Sequence, residues 1–86
     1  MDKAQEAIAR GHRADALLSD PLMSEAFDKL EKAYFDGWKA SDLRDTAGRE
    51  QLFIAVGQLN KIRDHLKSIV RDGKVEQATL ALKPQE

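Results

Sequence analysis

The segment at residues 20–38, "DPLMSEAFDKLEKAYFDGW", decides the fold that we predict for this chain. Asp20 is a favourable N-cap residue, and Pro21 suits the first helical position, where its missing N–H needs no partner. Apolar and small residues then recur at helical spacing and share one wide face: Met23, Ala26, Phe27, Leu30, Ala33, Tyr34, Gly37 and Trp38. This pattern predicts an amphipathic, core-facing helix over about residues 21–40.

A longer helix is predicted after a short polar connection. Asp45 or Thr46 can cap it, and its apolar residues keep the three-four spacing over about five turns: Leu52, Ala55, Val56, Leu59, Ile62, Leu66, Ile69 and Val70. Gly73 follows Asp72 and can adopt the left-handed conformation that ends many helices. We therefore predict a helix over about residues 46–72, followed by a short helical turn over about residues 75–82 that stops before Pro84.

The N-terminal segment predicts a thinner amphipathic helix over about residues 2–18. Its small and apolar residues fall within one arc, and only Ile8 and Leu18 among them are large: Ala4, Ala7, Ile8, Gly11, Ala14 and Leu18. Such a helix either lies very close to its neighbour across Ala7 and Gly11 or frays in isolation.

The sequence pattern as a whole predicts one all-α domain over residues 1–86. No segment alternates with period two for long enough to form a strand. The short connection between the second and third helices predicts an antiparallel helical hairpin, with the N-terminal helix and the C-terminal turn beside it. A domain of 86 residues buries only about 60% of its unfolded surface, so we expect a thin core that gains from a partner or from self-association.

Composition argues against several classes of function. Fourteen Lys and Arg residues against 15 Asp and Glu give a net charge of −1, which makes binding to nucleic acid or to an anionic membrane improbable. The chain has no cysteine for a disulfide or a thiolate site. No apolar stretch approaches the roughly 18 residues of a membrane span. We expect a soluble intracellular protein.

Catalytic signatures are also missing from the sequence. His12 and His65 fall on different predicted helices, and neither has a partner at metal-binding spacing. The carboxylates of "SEAFDKLEK" alternate with lysines, as is typical of a solvated helix face. We therefore predict no enzyme activity, no cofactor, no metal and no small-molecule substrate.

Three large apolar residues lie outside the predicted core faces. At about 100° per residue, Phe35 falls outside the arc of Tyr34 and Trp38, and Phe53 and Ile54 fall outside the stripe of the next helix. These residues should lie near the same end of the hairpin. Either another segment of the chain covers them as ordinary core, or they contact another protein. The candidate partner contacts are Phe35, Phe53 and Ile54, with the neighbouring Trp38, Tyr34 and Arg49.

A small regulator that binds nucleic acid or a nucleic-acid enzyme is the alternative interpretation. Two helices joined by "SDLRDTAG" could place the next helix in a major groove, with Arg49 and Gln51 leading. Phe53 and Ile54 follow where a polar set of base-reading residues would be needed, and the predicted hairpin is long for this motif.

Most of the chain, from about residue 14 to residue 77, resembles small helical proteins encoded among the structural and packaging genes of tailed bacteriophages and prophages. Those proteins show a similar "LL-DPLL-EAF-LE-Y---W" opening and a similar "RD---RE-L---V-----V--HL--IV--GK" continuation. It implies a non-enzymatic phage accessory or virion-assembly protein that works by contact, in head assembly or DNA packaging. Its partner would be a second copy or another phage protein, in the cytoplasm of the bacterial host or on the virion.

Overall fold

The computed structural model describes residues 2–82, and these residues form three α-helices. α1 spans Lys3–Ser19, α2 spans Pro21–Ala40 and α3 spans Thr46–Leu82. The described residues contain no strand. The prediction of an all-α protein is therefore confirmed, and the observed bounds of α2 are the predicted ones.

An aspartate precedes each helix and caps it. The carboxylate of Asp2 accepts a hydrogen bond from the backbone N–H of Gln5 at 2.7 Å. Asp20 accepts from two N–H groups at the start of α2, at 2.8 and 3.1 Å. Asp45 accepts from the N–H of Gly48 at 2.9 Å, so Asp45 rather than Thr46 caps α3. These bonds satisfy N–H groups that have no partner within the helix.

The predicted end of the third helix at Gly73 is wrong. α3 continues through Gly73 to Leu82, so residues 75–82 are its last turns and not a separate element. Gly73 does not adopt a positive φ, and it is buried. The predicted stop at Pro84 lies outside the described residues.

Gly73 instead allows α1 and α3 to cross at close range. A Cβ built on Gly73 would lie 3.0 Å from the carbonyl oxygen of Ala7 and 3.1 Å from the Cα of Gly11. Gly11 and Ala14 are the buried residues of α1. Of the two alternatives for the N-terminal helix, the structure shows the close approach across Ala7 and Gly11.

α1 packs on the C-terminal half of α3, and α2 packs on its N-terminal half. A Cβ built on Gly37 of α2 would lie 3.6 Å from the side chain of Leu52. Further along, Arg63 donates to Asp28 at 3.0 Å and to Glu31 at 2.7 Å, and its guanidinium lies 4.9 Å from the ring centre of Phe27. Because a helix with its side chains is about 10–12 Å across, extents of 68 × 24 × 19 Å describe a rod two helices wide.

This rod has a very small apolar core. Among residues 2–82, the buried apolar residues are Ala14, at 3% exposure, and Leu59, at 7%. Twelve large apolar residues are exposed instead: Leu17, Leu22, Leu30, Phe35, Trp38, Leu43, Phe53, Ile54, Ile62, Val75, Leu80 and Leu82. Much of the apolar surface that the helices present is therefore not covered by the described part of the chain.

Candidate functional site

An open apolar pocket lies between the last turns of α2 and the first turns of α3. Its volume is about 200 Å³, and only aromatic and aliphatic residues line it: Tyr34, Phe35, Trp38, Leu52, Phe53 and Val56. We call it the tip pocket. The short connection at residues 41–45 brings its two walls together, since the end of α2 has to lie beside the start of α3.

The aromatic residues of α2 are ordered against one another. The rings of Phe35 and Trp38 stack with their centres 6.0 Å apart and an interplanar angle of 24°. The ammonium group of Lys39 lies 5.3 Å from the centre of the Phe35 ring. Residues at i and i+3 are neighbours on a helix, so Phe35 reaches Trp38 even though it lies off the main apolar face.

Arg49 packs its guanidinium group on the ring of Trp38. Its guanidinium lies 4.4 Å from the centre of the Trp38 ring. The same group donates to the Trp38 carbonyl oxygen at 3.3 Å and to the hydroxyl of Ser41 at 2.9 Å. A cation over an indole ring is favourable and restrains both groups. Arg49 is thus a support for the pocket wall, held by contacts within the chain.

The candidate contact residues divide into three groups. Tyr34, Phe35, Trp38 and Phe53 line the tip pocket, and Arg49 lies behind it. Ile54 does not line the pocket, because one residue further along α3 turns the side chain by about 100°. Phe53 is 77% exposed and Phe35 is 54% exposed, so the described part of the chain does not cover them as core.

Leu52 and Val56 were not among the predicted contact residues, although both line the pocket. Their helical spacing assigned them to the core stripe of α3. Their position in the sequence could have indicated this role. They lie one turn apart at the start of α3, and the first turns of α3 face the end of α2. Their aliphatic side chains form one wall of the pocket, and the aromatic residues of α2 form the other.

The titratable side chains of residues 2–82 include one ion pair with shifted pKa values. No group of three His, Cys, Asp or Glu residues within residues 2–82 could hold a metal ion. The ammonium of Lys32 donates to Asp36 at 2.6 Å, and this hydrogen bond lowers the pKa of Asp36 and raises the pKa of Lys32. The two residues are one turn apart on the exposed side of α2 and form a surface ion pair of ordinary type.

Over residues 2–82, none of the helices combines the length and the apolar character that crossing a membrane requires. No protein-family model, curated protein or solved structure matches the chain.

Proposed function

We propose that this chain is a non-enzymatic interaction module that binds another protein through the tip pocket. The observation that carries the proposal is an open, wholly apolar pocket whose most exposed wall residues are the aromatic Phe53 and Phe35. Clustered exposed apolar residues mark interaction sites, and aromatic residues contribute strongly to binding energy at interfaces.

The size of the pocket favours a protein partner over a free small molecule. Pockets for small molecules enclose about 300–1,000 Å³, whereas the tip pocket encloses about 200 Å³. That volume suits one or two apolar side chains from a partner. An amphipathic helix lying along the groove between α2 and α3 would present such side chains.

The pocket wall is ordered before a partner arrives. Arg49 and Ser41 hold Trp38, and Trp38 stacks on Phe35. A side chain that is already fixed loses little conformational entropy on binding. The contacts of Gly37 with Leu52 and of Asp28 with Arg63 support an antiparallel hairpin of α2 and α3 as the scaffold for this wall.

For the biological setting, we propose a phage accessory or virion-assembly protein. The sequence resemblance to tailed-phage proteins supports this setting, and the partner would be another phage protein in the cytoplasm of the bacterial host or on the virion. We do not extend the proposal to direct nucleic-acid binding, because Arg49 is engaged with Trp38 and Ser41 and the net charge is −1.

Affinity capture from an extract of the source tests the proposal with matched variants. Phe53→Ala removes a pocket wall, whereas Val75→Ala removes a similarly exposed apolar side chain from the same helix outside the pocket. We expect the wild type and Val75→Ala to retain one or more proteins. Phe53→Ala should bind the same proteins at least about tenfold more weakly.

The sole tryptophan, Trp38, provides a direct second readout. Because Trp38 lines the pocket, its fluorescence emission should shift when the captured protein is added to the wild-type chain. Equal capture by wild type, Phe53→Ala and Val75→Ala, with no change in Trp38 emission, would contradict the proposed function.

A further inference from the structure

The tip pocket opens into a second, more polar depression on the same flank of the hairpin. Asp28, Glu31 and Lys32 line this depression together with Phe35 and Val56. Phe35 and Val56 also line the tip pocket, so the two depressions form one continuous groove between α2 and α3. We call it the flank groove. Its apolar end is the tip pocket, and its polar end lies around the carboxylates of Asp28 and Glu31.

Helical spacing on both helices explains the course of the flank groove. Residues at steps of three and four stay on one side of a helix. On α2 such steps connect Asp28, Glu31, Phe35 and Trp38, and on α3 they connect Phe53, Val56, Asn60 and Arg63. The ten residues from Asp28 to Trp38 make the groove about 15 Å long, which is about three turns of a helix. A groove between two helices can accept the side-chain ridge of a third helix.

The carboxylates at the polar end are accessible to a partner. The side chain of Asp28 is 77% exposed and that of Glu31 is 45% exposed, whereas Arg63 between them is 22% exposed. Arg63 donates to Oδ1 of Asp28 and to Oε2 of Glu31. The second oxygen of each carboxylate is thus left for a donor on a partner. Lys67 lies beyond Asp28 on the same flank, so the acidic section ends there.

The charge of this part of the chain favours a basic partner. Residues 20–60 contain eight Asp and Glu and five Lys and Arg, whereas residues 61–82 contain three Asp and Glu and five Lys and Arg. At the polar end, two carboxylates share the guanidinium of Arg63, and the ammonium of Lys32 is engaged with Asp36. One negative charge there is therefore not balanced by a cation of the groove. Complementary charge steers a partner and fixes its register.

We propose that the partner of the tip pocket is a basic amphipathic helix that lies along the flank groove. Its apolar face places a large side chain in the tip pocket, and a Lys or Arg at the edge of that face pairs with Asp28 and Glu31. The midpoint of these two positions lies seven residues along α2 from the midpoint of Phe35 and Trp38, or about 10 Å. The basic residue therefore lies about two turns from the apolar anchor. This inference rests on the proposed function, because it names the chemistry of the partner at the same pocket.

A displayed peptide library tests the inference on the immobilised full chain. Each peptide has about 18 residues, which spans the groove with a turn to spare at each end. One face carries Leu, Met or Phe at steps of three and four, and each position at the edge of that face carries Lys or Glu with equal frequency. The peptides contain no tryptophan, so Trp38 is the sole tryptophan in the mixture.

Matched variants of the chain separate the two ends of the groove. The groove variant, Asp28→Asn with Glu31→Gln, removes two charges from the polar end and keeps an amide oxygen as acceptor at each position. The control variant, Glu6→Gln with Asp72→Asn, removes two charges from exposed positions on α1 and on the C-terminal half of α3. Phe53→Ala removes a wall of the tip pocket. Circular dichroism should show the same helicity for both double variants.

We expect the wild type and the control variant to retain peptides in which Lys outnumbers Glu about two turns from an apolar residue. The groove variant should retain peptides without that preference. For a selected Lys peptide, titration followed by Trp38 emission should give a dissociation constant about fivefold higher for the groove variant than for the wild type. For Phe53→Ala the dissociation constant should be at least about tenfold higher.

Either of two charge results would overturn the inference and leave the proposed function standing: retained peptides with equal Lys and Glu, or a Lys preference that the groove variant keeps. In both cases Phe53→Ala would still weaken binding, because the tip pocket would still hold the apolar anchor. Retention of no peptide by the wild type would also overturn the inference, and capture from the extract would then test the proposed function on its own. A chain that doubles its mass in light scattering, and loses this dimer in Phe53→Lys, would show that a second copy occupies the groove instead.

Discussion

Gly11 and Gly73 set the distance between α1 and α3. A Cβ on Gly11 would lie 3.1 Å from the Cα of Gly73 and 3.3 Å from the carbonyl oxygen of Ile69. These neighbours are backbone atoms, which cannot rotate away as a flexible side chain can. Gly57 lies on the same helix, but a Cβ there would meet no atom within 4 Å.

Gly57 and Gly73 of α3 should therefore respond to alanine in opposite ways. Gly57→Ala should raise the free energy of unfolding by up to about 1 kcal/mol, because alanine has the higher helix propensity. Gly73→Ala should lower it by about 1–3 kcal/mol, because the added methyl group pushes the helices apart. Urea denaturation at one fixed protein concentration measures both. An equal gain in both variants would show that α1 does not pack closely at Gly73.

Phe35 shows what helical spacing predicts about the site and what it leaves open. Helical spacing predicted that Phe35 lies off the main apolar face near the end of α2. In the structure Phe35 lines the tip pocket with Trp38 and Phe53. Spacing did not predict the stacking of Phe35 on Trp38 or the guanidinium of Arg49 over the indole ring. Those contacts depend on rotamers and on the path of the connection, which periodicity does not specify. The role of these residues as partner contacts stays a prediction.

Asp20 joins α1 to α2 within a single residue. Its backbone N–H donates to the carbonyl oxygen of Leu17 at 3.3 Å, which closes the end of α1. Its carboxylate accepts from the N–H groups of Leu22 and Met23, which starts α2. Pro21 begins α2 without an N–H that needs a partner.

Asp20→Ala should lower the free energy of unfolding by about 0.5–2 kcal/mol, because two N–H groups lose their acceptor. Asp20→Asn should lower it by much less, since the asparagine side chain is an equally good N-cap acceptor. Thermal unfolding followed by circular dichroism at one protein concentration compares the two variants. If alanine and asparagine had the same effect, the cap would not stabilise the start of α2.

Helix ends were predictable where their causes are local. The bounds of α2 follow from Asp20 and Pro21 at its start and from the break in the apolar pattern after Ala40. The end of α3 was not predictable in this way, because Gly73 has two possible uses. A glycine can end a helix or allow a close crossing, and only the packing of α1 selects the second. The ion pairs of Arg63 with Asp28 and Glu31 of α2 were not predictable either, because they are tertiary contacts.

The molecule as a whole is a thin rod without a substantial interior. Its shorter extents, 24 and 19 Å, leave no room for a layer of side chains enclosed on every side. Small domains are stabilised when a partner covers their apolar surface, and some folded monomers are unstable without one. We infer that another chain covers exposed apolar surface of this rod, either a second copy or the partner proposed for the tip pocket.

The most direct test of this account is the thermal unfolding midpoint of the wild-type chain over a hundredfold range of protein concentration. If folding depends on a second copy, mass action should raise the midpoint by about 5–10 °C across that range. A single cooperative transition whose midpoint does not change with concentration would contradict the account, because it would show that the thin rod is stable on its own.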